Sequence, residues 1–196
     1  MIKKLESILF IIDRNIYYRH MGPFIDYLNN SGHDIHLLHN YSKEKSGSKS
    51  MYFPYLFSSP VFTKPVNSIG IFEKKKDLLK YIDENKIRFI FSLHGYQAYD
   101  IKKDETHDIK WIVLQHWADN FIDGHGDFMN SDYFLSYSKL WWNSYLKSEY
   151  SNKEKSSHYT VETKFLSHPL NFLYEDLNKA ALRKKYNIKS SKKILL

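Results

Sequence analysis

Residues 7–12 read Ser-Ile-Leu-Phe-Ile-Ile and are closed at once by the charged pair Asp13-Arg14. A strand with one wet face alternates apolar and polar positions. A strand without alternation is covered on both faces, as in a parallel sheet flanked by helices. Similar runs recur along the chain with helical stretches between them, the pattern of βαβ units around a parallel sheet. The reading is therefore α/β. Strands are expected over residues 7–12, 34–38, 88–93, 111–115, 132–136 and 161–166, parallel in one layer with helices on both faces.

The first helix is expected to open at Gly22-Pro23, to place Phe24, Ile25 and Leu28 on one side, and to end before Gly32. Proline in the first turn and glycine just past the last are the favoured placements. A Lys-rich stretch over 74–85 carries a narrow apolar stripe of Leu78, Leu79 and Ile82. Further helices are expected over 139–150 and 177–186. Between 40 and 67, Ser, Lys, Gly and the prolines Pro54, Pro60 and Pro65 interrupt every period, leaving a long excursion with a short strand around 52–57.

With 42% apolar and 17% aromatic residues in 196, the chain can bury a substantial core, which excludes whole-chain disorder. It has no cysteine, so disulfides, thiolate zinc sites and cysteine nucleophiles are excluded by inventory. The apolar run near the start is far shorter than the roughly 20 residues that span a bilayer. A cytoplasmic, soluble protein is expected. The formal charge of +7 favours anionic partners without naming one. The basic tract from Lys179 through Lys193 has no acidic residue inside it. It reads first as a solvated helix face with a linker, next as peripheral contact with an anionic membrane, and last as a nucleic-acid patch; no nucleic acid is expected as a partner.

Ligands of open parallel α/β sheets bind beyond the carboxyl ends of the strands. That rule selects Asp13 and Arg14 after the first strand, with Asn15, Arg19 and His20 in the following loop. It then selects His94 and Gly95, followed by His116 with Trp117, Asp119 and Asn120, then Ser138, and finally His168. Three histidines, His94, His116 and His168, would then sit at strand ends on one rim. His116 and Asp119 form the candidate catalytic pair, since imidazole, aromatic wall and carboxylate fall within one loop. The alternative for His116 is a core histidine satisfied by Asp119, and for His94 a turn histidine bonded to backbone. Asp13, Arg14, His20, His94, Gly95, Trp117, Asn120 and Ser138 are the candidate acceptor-binding residues. His33, His36 and His39 share a strand, with His33 and His39 on one side of the pleat and His36 between them. No second ligand cluster accompanies them, and no metal site is assigned. The first loop, Asp13-Arg14-Asn15-Ile16-Tyr17-Tyr18, lacks the glycines that admit a pyrophosphate, so no dinucleotide cofactor is expected.

Several of these features resemble the N-terminal half of a GT-B glycosyltransferase, the fold of two facing Rossmann-like domains. They are the first helix ending in Leu28-Asn29-Asn30-Ser31-Gly32-His33-Asp34-Ile35, the strand end Ser92-Leu93-His94-Gly95, and the strand-end His116. The tail adds Phe165-Leu166-Ser167-His168-Pro169-Leu170 and Lys192-Lys193-Ile194-Leu195-Leu196. By position, His116 resembles a strand-end histidine of polymer-forming transferases, including those acting on teichoic-acid and capsule precursors. The resemblance implies a Rossmann-like N-terminal domain over 1–170, with 171–196 as a linker helix and the first strand of a second domain. It also implies an acceptor glycan or lipid-linked saccharide bound on this half, and a nucleotide-sugar donor held by the other half. The chain alone would then be inactive. The superfamily's glycine-rich first loop is replaced here by residues 13–18. Two other classes stay open: a non-catalytic Rossmann-like binding or partner domain, and a basic nucleic-acid-binding protein.

Overall fold

The computed structural model describes residues 5–14, 17–41, 66, 68–106, 108–115, 130–137 and 162–165. Seven strands form one sheet: β1 (Ser7–Ile12), β2 (Asp34–Asn40), β3 (Ser68–Phe72), β4 (Phe89–Ser92), β5 (Lys110–Leu114), β6 (Tyr133–Ser136) and β7 (Glu162–Phe165). Every neighbouring pair is parallel, in the order β3-β2-β1-β4-β5-β6-β7. The α/β reading and its parallel sheet are thus borne out, as a Rossmann-like arrangement.

The continuous apolar run of β1 finds its reason in the two cores. Ile8, Phe10 and Ile12 pack with Met21 and Ile25 of helix α1 (Tyr18–Asn30) on one face. Leu9 and Ile11 pack with Leu78 and Ile82 of helix α2 (Lys75–Glu84) on the other. Each buried aliphatic side chain contributes roughly 1.5–3 kcal/mol, and period-two alternation divides the run between the two cores. The two helices cover opposite faces because the chain winds outward from β1 to β2 and β3, then crosses by α2 to β4 on the far side of β1. The strand order therefore reverses between β1 and β4.

Three expectations need correction. Helix α1 starts at Tyr18, so Pro23 lies inside it rather than at its start. Residue 23 has no N–H to give to the carbonyl four residues back, and the helix continues because its apolar face is held by the core. Strand β3 was not anticipated. It is a five-residue strand beside β2 with Gly70 in its middle, and a Cβ there would come within 3.0 Å of Leu38 Cδ1. His36 faces α2, where Tyr81 Oη lies 3.0 Å from its Nδ1, whereas His39 faces α1, since residues three apart on a strand point to opposite faces. Gly32, at φ +89, ends α1 as expected, with His33 N bonded to the Leu28 carbonyl at 3.2 Å. The expected strand at 52–57, the helices at 139–150 and 177–186, and the segment 171–196 lie outside the described residues.

Candidate functional site at the strand-order reversal

The strand order reverses between β1 and β4, and the carboxyl ends of the strands at such a reversal are where open α/β sheets bind ligands. Asp13, the first residue after β1, is only 2% exposed. Its Oδ1 accepts a 2.7 Å hydrogen bond from Asn40 Nδ2 at the end of β2. Its Oδ2 accepts a 2.8 Å bond from Tyr99 Oη, in the 3-10 turn Tyr96–Tyr99 that follows β4. His94 Nε2 lies 3.9 Å from the same oxygen, with the ring side chain 20% exposed. That spacing exceeds a hydrogen bond but is short enough for direct charge attraction. Tyr17, at the start of α1, is tilted against the His94 ring at 6.3 Å.

The backbone beneath His94 is pinned. Ser92 Oγ donates to the His94 carbonyl, and the buried Trp111 indole N–H is shared between Ser92 Oγ at 2.8 Å and the same carbonyl at 3.1 Å. His94 is therefore a turn histidine held by backbone contacts and also a rim histidine facing a carboxylate. Burial first, then the Asp13 charge and hydrogen bond, push the Tyr99 phenol well above its usual range. Tyr99 stays a donor to Asp13 through neutral pH.

A second rim network ties α1 to β2 and β3. His39 Nε2 lies 2.9 Å from Tyr18 Oη, and Nδ1 lies 3.3 Å from the Gly70 carbonyl. Burial pushes the Tyr18 hydroxyl up and the His39 imidazole down, the latter partly offset by the Gly70 bond. These directions fit a neutral ring that donates from Nδ1 and accepts from Tyr18.

Of the expected site residues, the structure brings Asp13 and His94 together. Gly95 is buried at the start of the 3-10 turn, and Arg14 is exposed beside Asp13. His20 is turned elsewhere: its ring stacks on Tyr137 at 6.4 Å and 11°, with Tyr137 Oη 3.4 Å from its Nδ1. His116, Trp117, Asp119, Asn120, Ser138 and His168 lie outside the described residues. Asn40 and Tyr99 were missed. Applying the strand-end rule to β2 selects Asn40, whereas Tyr99 has no local signal, being 86 residues from Asp13 in sequence. Among the described residues no group of three or more His, Asp or Glu side chains could hold a metal ion. His33 instead accepts from the Glu6 N–H, and His36 pairs with Asp34 at 3.0 Å.

Fold and strand-end residues together define a Rossmann-like α/β domain with a carboxylate and an imidazole at its switch point. No family model and no curated protein matches the chain. Among the described residues no helix is long and apolar enough to cross a membrane.

Proposed function

We propose that this chain is the acceptor-binding half of a two-domain glycosyltransferase of cell-surface polysaccharide assembly, and that its acceptor hydroxyl binds at the carboxyl ends of β1 and β4. The supporting observation is the buried Asp13 carboxylate facing His94 at 3.9 Å. An imidazole that takes a proton from a hydroxyl becomes a cation, and a carboxylate at that distance attracts it. Such a base contributes about 10²–10⁴-fold to a transfer reaction. Tyr99 and Asn40 hold Asp13 in place without neutralising it. The donor needs a second set of phosphate-binding groups, and the glycine-free loop after β1 is a poor cradle for a diphosphate.

Saturation-transfer NMR with a saccharide panel, alongside calorimetry with nucleotide-sugars and nucleoside diphosphates, tests the proposal. Saccharide contacts are expected that disappear in Asp13→Asn and in His94→Gln, with nucleotide-sugars binding weakly or not at all. Micromolar affinity for any nucleotide would make these strand ends a nucleotide site and overturn the acceptor assignment. Saccharide contacts that survive both substitutions would overturn the placement at Asp13 and His94.

A further inference from the structure

The opposite, amino-terminal edge of the sheet carries a cleft of about 600 Å³ between α2 and the 3-10 turn Lys103–Thr106. Its apolar wall is formed by Leu79 and Ile82 of α2 and by Ile87 and Ile109, which lie just before β4 and β5. Lys86 and Arg88 line it as well, both exposed, and neither has an ion partner among the described residues. The acids nearby are unequal. Glu105 is engaged by Lys75 Nζ at 2.6 Å and by the Lys102 N–H at 2.8 Å, which hold its carboxyl below the usual range. Asp108 has a partner of its own, and Asp83 has no ion partner among the described residues.

A separate observation points to the same place. Thr106 lines this cleft and is 2% exposed, yet its hydroxyl has no hydrogen-bond partner among the described residues. A buried, unsatisfied hydroxyl is a standing cost to the fold. Thr106 lines the cleft, so rotation about χ1, which exchanges the hydroxyl with the methyl group, is the movement by which its oxygen would meet a bound group. A volume of this size is that of a small-molecule site, and an aliphatic wall of four side chains beside a polar end that holds two exposed cations suits an amphiphile.

We propose that this cleft binds an alkyl carboxylate, with the head on Arg88 and Lys86, the hydrocarbon body along Leu79, Ile82, Ile87 and Ile109, and the Thr106 hydroxyl completing the polar end. The guanidinium offers the planar fork that a carboxylate matches. This site lies at the other end of the sheet from Asp13 and stands or falls independently of the acceptor proposal.

Amide chemical-shift titration of the whole chain with decanoate below its micelle concentration tests it, with acetate and decanol as the head-only and tail-only probes. Decanoate is expected to shift residues 79–88 and 105–110, with acetate and decanol each weaker by about tenfold or more, the loss of one charged contact or of the apolar body. The double variant Lys86→Asn, Arg88→Gln is expected to weaken decanoate by a similar factor. Asn is chosen because Lys86 sits at φ 51, which Asn tolerates. Thr106→Val is expected to weaken decanoate without lowering the thermal midpoint, since it removes an unsatisfied group at constant shape. Decanol binding as tightly as decanoate, or unchanged affinity in the double variant, would refute the anionic head. Shifts scattered over exposed Leu5, Tyr27 and Ile71 instead of the cleft would refute the site.

Discussion

Tyr99→Phe removes a single oxygen from the core, and its cost follows from what that oxygen does. Tyr99 is buried and donates at 2.8 Å to Asp13 Oδ2. Without it, that carboxylate oxygen keeps, among the described residues, only His94 Nε2 at 3.9 Å, beyond hydrogen-bond length, while Oδ1 keeps Asn40 at 2.7 Å. Hydrogen bonds to charged groups are worth about 1.5–3 kcal/mol, and a carboxylate 2% exposed has little access to water as a substitute. A loss of about 2 kcal/mol is expected. In a chain of this length that lowers the thermal midpoint by roughly 4–8 °C. Urea unfolding at neutral pH should show a lower midpoint at unchanged slope. Tyr96→Phe serves as the control, because the Tyr96 ring is used but its hydroxyl has no hydrogen-bond partner among the described residues, and its change should stay within about 0.5 kcal/mol. If Tyr99→Phe also falls within that range, Asp13 is not the buried, donor-dependent carboxylate described above.

Two further outcomes follow from single residues. Burial holds the His39 imidazole below its usual range while the unfolded chain protonates near pH 6.5, so its contribution is present above that pH. Stability should be lost as pH falls below it, by about 1.4 kcal/mol per pH unit at most, and His39→Gln should flatten that part of the urea-midpoint profile. Gly32 ends α1 at φ +89, where a side chain is strained, so Gly32→Ala should destabilise by about 1–2 kcal/mol in the same assay, and an unchanged midpoint would contradict the left-handed cap.

The apolar runs of β1, β4 and β5, buried on both faces, stand out most strongly in the sequence against charged neighbours. Strand β6 and the exposed β7, with Glu162 and Lys164 at its surface, are legible from the alternation of strands and helices. Among the described residues strand β3 pairs only with β2, packs Gly70 where others carry a branched chain, and leaves Ile71 58% exposed, so its five residues carry little of the apolar signal. Pro23 misled because proline is a boundary signal only when nothing outweighs it, and the packing of Met21 and Ile25 against β1 outweighs it here. The site divides the same way. Asp13 and His94 sit where strands end, a position the pattern reveals, whereas the donor that fixes Asp13 arrives from a turn with no periodic signature. Strand ends are local information, but hydrogen-bond partners across them are not.

The charge on Asp13 can be separated from its role as a tie between β1, β2 and the turn after β4. An asparagine at position 13 could accept from Asn40 through its oxygen and donate its amide to the Tyr99 hydroxyl, which can act as acceptor. That neutral network would avoid the cost of desolvating a carboxylate, and exchanging a buried charge for a satisfied neutral group is often close to neutral for stability. The tie therefore does not require a charge, whereas an imidazolium at His94 does. Asp13→Asn should accordingly leave stability within about 1 kcal/mol of the parent, and Tyr99→Phe should cost less in that background, about 0.5–1.5 kcal/mol, as for a neutral hydrogen bond. Saccharide contacts should be lost in the same variant. Preserved stability together with preserved contacts would mean that the site makes no use of the negative charge, and the pairing of Asp13 with His94 would be structural alone.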